Sequence, residues 1–217
     1  MFASAEVRWF WPGNCPQQIH DWFFKTGLPP GGGRPRIDRY LPQPNTADIG
    51  LKERGDTPGL EFKGLVATRG IAALAAVASR VEIWCKWSCT IPGLTSADEV
   101  AVTKTRWLRQ FDTSQPDRVE IPLDADERPK ANHTMPVQGC NVELTEVNML
   151  GRSGMWWTLG FEAFGDFDAV PVNLTRAILP ESAALAGIVS SGAFLSYPAW
   201  LSARLADEQT QPQGRSA

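Results

Sequence analysis

The 217-residue sequence predicts a mainly β protein of the α+β class. Its eight antiparallel strands form one domain, closed into a barrel or packed as a sandwich, with flanking helices and a C-terminal helical segment. Three observations carry this expectation. Short alternating runs rich in Val, Ile, Phe and Trp recur from residue 5 to residue 164. Split by parity, these runs put charge on one face and tryptophan-rich apolar surface on the other. Segments of helical pattern are numerous enough to cover the apolar faces from outside.

In order, the runs are "AEVRWFW" (5–11), "RIDRYL" (36–41), "DIGLKERG" (48–55), "LEFKGLVA" (60–67), "VEIWCKWSC" (81–89), "AVTKTRWLRQF" (101–111), "NVELTEV" (141–147) and "MWWTLGFEAF" (155–164). Between the first two, "CPQQIHDWFFK" reads as a short amphipathic helix, and "GLPPGGGRPR" as a loop that Pro and Gly keep irregular. "GIAALAAVAS" is Ala-rich enough for a brief helix. Residues 112–139 are polar and broken by proline, so they form a long exposed connection that includes a short strand at "RVEIPL". Within it, Asp124, Asp126 and Glu127 read as a solvated acidic run. His20 and His133 read as surface residues. From about residue 172 the pattern turns helical. The uncharged stretch 182–203 has five serines and Pro198, which suits a packed helix or helix pair better than a membrane span. One domain is expected over 1–206, with a disordered tail at 207–217.

The strongest pattern is in "LKERGDTPGLEFKG" (51–64), where two strands around a turn carry Lys52 and Arg54, then Glu61 and Lys63, on one face. The same face elsewhere holds Glu6 and Arg8, Glu82 and Lys86, Lys104 and Arg106, Glu143, and Glu162. Seven basic residues thus meet five acidic ones in a chain whose net charge is −3. A global charge of that sign offers no attraction to duplex nucleic acid or an acidic membrane, so any anion must be met by this local set. The set is either the solvent face of a sandwich or the lining of a barrel. Inside a barrel, facing Lys and Arg side chains need carboxylates or a polyanion to offset them. The four cysteines lack zinc-knuckle spacing and are expected to be reduced, mostly buried thiols. No signal-peptide pattern stands at the N-terminus, so a cytoplasmic location is expected.

The order of charged strands over residues 4–164 resembles the CYTH domain, or triphosphate tunnel metalloenzyme fold. "SAEVRWFW" resembles its ExExK strand, "RIDRYL" its DxYY-type strand, and "IGLKERG" with "LEFKG" its LRxR and lysine-bearing strands. "VTKTRW" resembles its KxR strand, and "VELTEVNMLGRSGMWWTLGFEAF" the closing pair. The resemblance implies a closed eight-stranded barrel around a charged tunnel. It also implies phosphate contacts from Arg8, Lys52, Arg54, Lys63, Lys86, Lys104 and Arg106. A Mg²⁺ or Mn²⁺ ion would sit on Glu6, Glu143 and Glu162, with Glu6 and Glu162 as the catalytic carboxylates. Three positions depart from the family pattern: Ser4, Thr145 and Gly160 stand where carboxylates are expected, and Glu61 or Glu82 would have to substitute.

Two functions follow as expectations. One is metal-dependent hydrolysis of a triphosphate or related phosphoanhydride. The other is binding of a nucleotide, polyphosphate or organic anion without turnover. The partner expected in either case is a polyanionic small molecule.

Overall fold

All eight expected strands form, together with two short additional ones, in a computed structural model. The structure describes residues 2–42, 46–55, 57–90 and 99–210. In chain order the elements are β1 (Phe2–Pro12), α1 (Gln17–Lys25), β2 (Gly31–Tyr40), β3 (Ile49–Arg54), β4 (Thr57–Arg69), β5 (Val81–Cys89) and β6 (Val100–Asp112). They continue with β7 (Val119–Ile121), β8 (Gly139–Met149), β9 (Met155–Gly165), α2 (Val170–Ile178), α3 (Ser182–Val189), β10 (Ala193–Phe194) and α4 (Tyr197–Thr210).

The strands close in the order β1-β5-β4-β3-β2-β6-β8-β9, every pairing antiparallel, and β9 returns to β1 from Ala3–Gly165 through Pro12–Trp156. Closure decides between barrel and sandwich in favour of the barrel, and removes the exposed edges that a sandwich would leave. β7 adds to β6 and β10 to β1, outside the closed circuit.

The outer faces are apolar where helices lie. Val7, Trp9 and Trp11 of β1, Val142 and Leu144 of β8, and Leu159 and Phe161 of β9 pack against the helical layer. In α1 the buried residues Ile19, Trp22 and Phe23 follow the i, i+3, i+4 spacing that puts them on one stripe. Leu174, Ala177 and Ile178 of α2 and Leu185 of α3 complete the layer. The Ala-rich segment forms only a 3₁₀ turn at Ala72–Leu74, with Leu74 fully buried.

Two expectations are corrected in detail. The glycine-rich loop is half strand: Gly31 and Gly32 pair with Leu108 and Trp107, and a bulge between Gly32 and Pro35 absorbs the positive φ of Gly32 and Gly33. The helical C-terminal stretch is two helices with β10 between them, and α4 reaches Thr210, past the expected boundary at residue 206; the rest of the tail, 211–217, lies outside the described residues. Cys85 and Cys140 are buried, Cys15 is half-buried and Cys89 exposed, all as free thiols. No helix among the described residues is long and apolar enough to cross a membrane.

α4 decides what one end of the barrel looks like. Trp200 stacks on Phe10 at 5.1 Å between centroids, and Tyr197 meets the rings of Phe10 and Tyr40. With Val100, Val102, Val147 and Met149 they form a second core that floors the lumen. The opposite end, where β1 begins and β9 stops, reaches the surface.

Candidate functional site

Above the floor lies a cavity of about 550 Å³. Alternation along each strand points Ser4, Glu6 and Arg8 of β1, Lys52 and Arg54 of β3, and Glu61 and Lys63 of β4 into it. Lys86 of β5, Lys104 and Arg106 of β6, Glu143 and Thr145 of β8, and Glu162 of β9 line it as well. Every basic residue expected at the site, and each expected metal-ligating carboxylate, is therefore brought into one chamber. Glu82 is not: it accepts the Trp84 indole N–H at 3.2 Å and takes no part in lining the cavity.

The charges are arranged as pairs. Lys63 donates to Glu6, which also accepts from Ser4 Oγ at 2.6 Å. Lys86 donates to Glu162, with Glu6 3.6 Å from the same ammonium. Glu143 takes Arg8 at 2.9 Å and Arg106 at 2.7 Å. Arg36 reaches Asp38 at 3.0 Å, Lys104 lies 3.3 Å from the same carboxylate, and Lys52 meets Glu61 at 2.9 Å. Burial alone would raise the Glu6 carboxyl, yet the Lys63 and Lys86 ammoniums hold it well below the ordinary carboxylate range. Glu143 is likewise buried and held down by Arg106 and Arg8. Burial brings the Lys104 amine well below the usual lysine range, and the neighbouring Lys52 and Arg36 add to this against the pull of Asp38. Lys104 donates to the Tyr40 hydroxyl and lies over the Tyr197 ring, 3.8 Å from its centroid.

Arg54 is the exception. It also lines the cavity, but it has no ion-pair partner among the described residues, and its Nε is buried without an acceptor.

Several of these participants went unread in the sequence. Arg36, Asp38 and Tyr40 alternate in "RIDRYL" and were open to the parity argument that found the others. Trp84 shares the face of Lys86, is fully buried, and lies under the Lys63 ammonium at 4.6 Å. Glu127 had no such signal. It belongs to the acidic run expected to be solvated, but a turn at 124–128, with Glu127 at φ 61°, folds it onto Arg106, where it accepts from Nε at 2.8 Å and from Nη2. The close approach needs Gly32, whose missing side chain leaves room for the Glu127 carboxylate.

Gly160 has a comparable role. A Cβ there would stand 2.6 Å from Arg8 Nη2 and 2.7 Å from Nη1. The residue is a slot for the buried Arg8 guanidinium rather than a vacant ligand position. Gly160→Ala is expected to push Arg8 off Glu143 and cost about 1–3 kcal/mol, the range for overpacking. Urea denaturation checks it, and an unchanged midpoint would show that Arg8 moves freely.

A divalent metal fits this donor set poorly. The Lys86 ammonium already sits between Glu6 and Glu162, both guanidiniums of Arg8 and Arg106 occupy Glu143, and no group of three His, Cys, Asp or Glu among the described residues is arranged around a common point.

Fold and site together define a class: a closed antiparallel barrel with a charge-paired lumen, floored at one end and reaching the surface at the other. No protein-family model and no curated protein matches the chain.

Proposed function

We propose that the lumen binds a small organic anion, anchored on Arg54, and does not turn it over. The observation that carries this reading is the contrast between Arg54, which makes no ion pair or hydrogen bond through its side chain among the described residues although Asp38 stands opposite it and Glu61 feels its charge, and its neighbours, which are all paired. A buried guanidinium Nε–H without an acceptor is costly, and an anion supplying a charge-assisted hydrogen bond removes that cost. The order of basic strands, similar to that of phosphate-holding barrels, supports the same ligand chemistry.

The rival reading, hydrolysis through Mg²⁺ or Mn²⁺ on Glu6, Glu143 and Glu162, requires Lys86 to leave two carboxylates and Arg8 and Arg106 to release the third. The non-catalytic reading needs no rearrangement.

Titration calorimetry with phosphate, phenyl phosphate and inorganic triphosphate tests the proposal, alongside a phosphate-release assay of triphosphate with and without Mg²⁺ or Mn²⁺. Binding without release is expected, and Arg54→Met should weaken it by about 10- to 100-fold, the equivalent of one lost charge-assisted interaction. Metal-dependent release that Glu162→Gln abolishes would establish the rival instead, and binding indifferent to Arg54→Met would remove the anchor.

A further inference from the structure

Charge and surface at the cavity together narrow the ligand. Eight Lys and Arg side chains line the lumen. Five carboxylates line it with them (Glu6, Glu61, Glu127, Glu143 and Glu162), and Asp38 lies buried among Arg36, Lys52 and Lys104. Asp126, at the rim, is taken by Arg34 at 2.5 Å. The lumen thus keeps an excess of at most two positive charges, and fewer in so far as Lys104 gives up its proton. A carboxylate, or a phosphomonoester at about −1.5 to −2 near neutral pH, matches that excess. A triphosphate adds charge with each further phosphoryl group and would leave the buried chamber negative, which is costly in a poorly solvated site.

The rim is of a different character. Phe2 and Met135 line the cavity where it reaches the surface, and they are 73% and 58% exposed. Phe164 lines it beside them, and Leu108 lies on the wall below. At the mouth of a polar chamber, these apolar side chains offer the apolar body of a bound ligand a surface to pack on. Arg54 stands at the end of β3 that leads away from the floor, since a Cβ on Gly50, at the strand's start, would meet Pro198 of α4 at 3.3 Å. The free guanidinium and the apolar rim therefore lie toward the same end of the lumen.

We infer that the ligand is an amphiphilic anion: one head of one or two negative charges held at Arg54, on an apolar body that covers Phe2, Met135 and Phe164 at the rim. The inference rests on the anion-binding reading and specifies its ligand class.

A calorimetric series separates the two. The probes are inorganic phosphate, butyl, hexyl and octyl phosphate, hexanoate and octanoate, 1-octanol, and inorganic triphosphate. Affinity should rise about two- to fourfold for each added methylene, as expected for burying hydrocarbon, with octyl phosphate or octanoate above triphosphate, and 1-octanol at least about tenfold weaker than either. Whether the phosphate or the carboxylate series is tighter identifies the head group. The double variant Phe2→Ser, Met135→Ser should flatten the chain-length slope; both residues are exposed, and an unchanged thermal midpoint shows that the fold is intact. Phosphate binding with no gain from the alkyl chain, or triphosphate tightest of all, overturns the amphiphile inference and leaves the anion reading standing. No binding of any anion overturns both.

Discussion

Replacing Glu143 with alanine should lower the free energy of unfolding by about 3–5 kcal/mol, the range for removing one partner of a buried ion pair. Glu143 is flanked by Arg8 at 2.9 Å and Arg106 at 2.7 Å, and the side chains of Glu143 and Arg8 are 9% and 6% exposed. Arg106 keeps Glu127 when Glu143 is lost, but Arg8 keeps no ion pair, only the Thr158 hydroxyl at 3.4 Å, the Tyr197 ring and the more distant charge of Glu6. A guanidinium cannot shed its proton to escape burial, so most of the cost of the unpaired charge remains. The test is a urea denaturation series that includes the double variant Arg8→Met, Glu143→Leu. Because an ion pair replaced by apolar groups is often nearly neutral, the double variant should recover most of the loss. A single variant costing less than about 1 kcal/mol, or a double variant no better than the single, would mean that the pair is not what holds this part of the lumen.

Acid should unfold the protein readily. Glu6, Glu143 and Asp38 are each buried, which by itself raises a carboxyl, and each is carried below its ordinary value by adjacent cations: Lys63 and Lys86, Arg106 and Arg8, Lys104 and Lys52. Their folded-state values are depressed, so the stability they contribute is complete above the unfolded carboxylate range of about pH 4 and is lost as pH falls through the folded values. Below about pH 4 the unfolded chain binds up to three protons that the folded chain refuses. Stability then drops by up to about 4 kcal/mol per pH unit. For a domain with a total of about 5–15 kcal/mol, that is enough to unfold it within one to a few pH units. Tryptophan fluorescence and circular dichroism against pH would follow the transition, and Glu6→Gln should make its pH dependence shallower. An unchanged thermal midpoint from pH 6 to pH 3 would refute the assignment.

The two predictions concern charges that the sequence put on one face without showing how they pair. Parity in the strands brought every expected charge but Glu82 to the cavity, because side chains alternate across a β-strand whatever the rest of the chain does. It could not say which cation meets which carboxylate. Arg8 and Glu143 are 135 residues apart and Lys86 and Glu162 are 76 apart, and only the order of strands around the barrel brings them together. Seen one strand at a time, Gly160 looked like a missing carboxylate; beside β1 it is the space that Arg8 fills. The same limit applied to Glu127, whose placement depends on a turn folding back over Gly31 and Gly32, and to Tyr197, which reaches the lumen only because α4 crosses the barrel's end.

By itself, then, the sequence determined that this is a mainly β protein with eight strands, one charged face and one apolar face on most of them, and helices to cover the apolar side. Those properties follow from local periodicity and need no knowledge of contacts. Closure into a barrel, which the resemblance implied and periodicity left open against a sandwich, is what the strand pairing shows; the pairing that leaves Arg54 without an ion pair among paired neighbours, the aromatic floor and the apolar rim were decided by tertiary structure alone, because each depends on residues distant in the chain meeting within a few ångströms, where burial makes a pair of charges or an unpaired one matter.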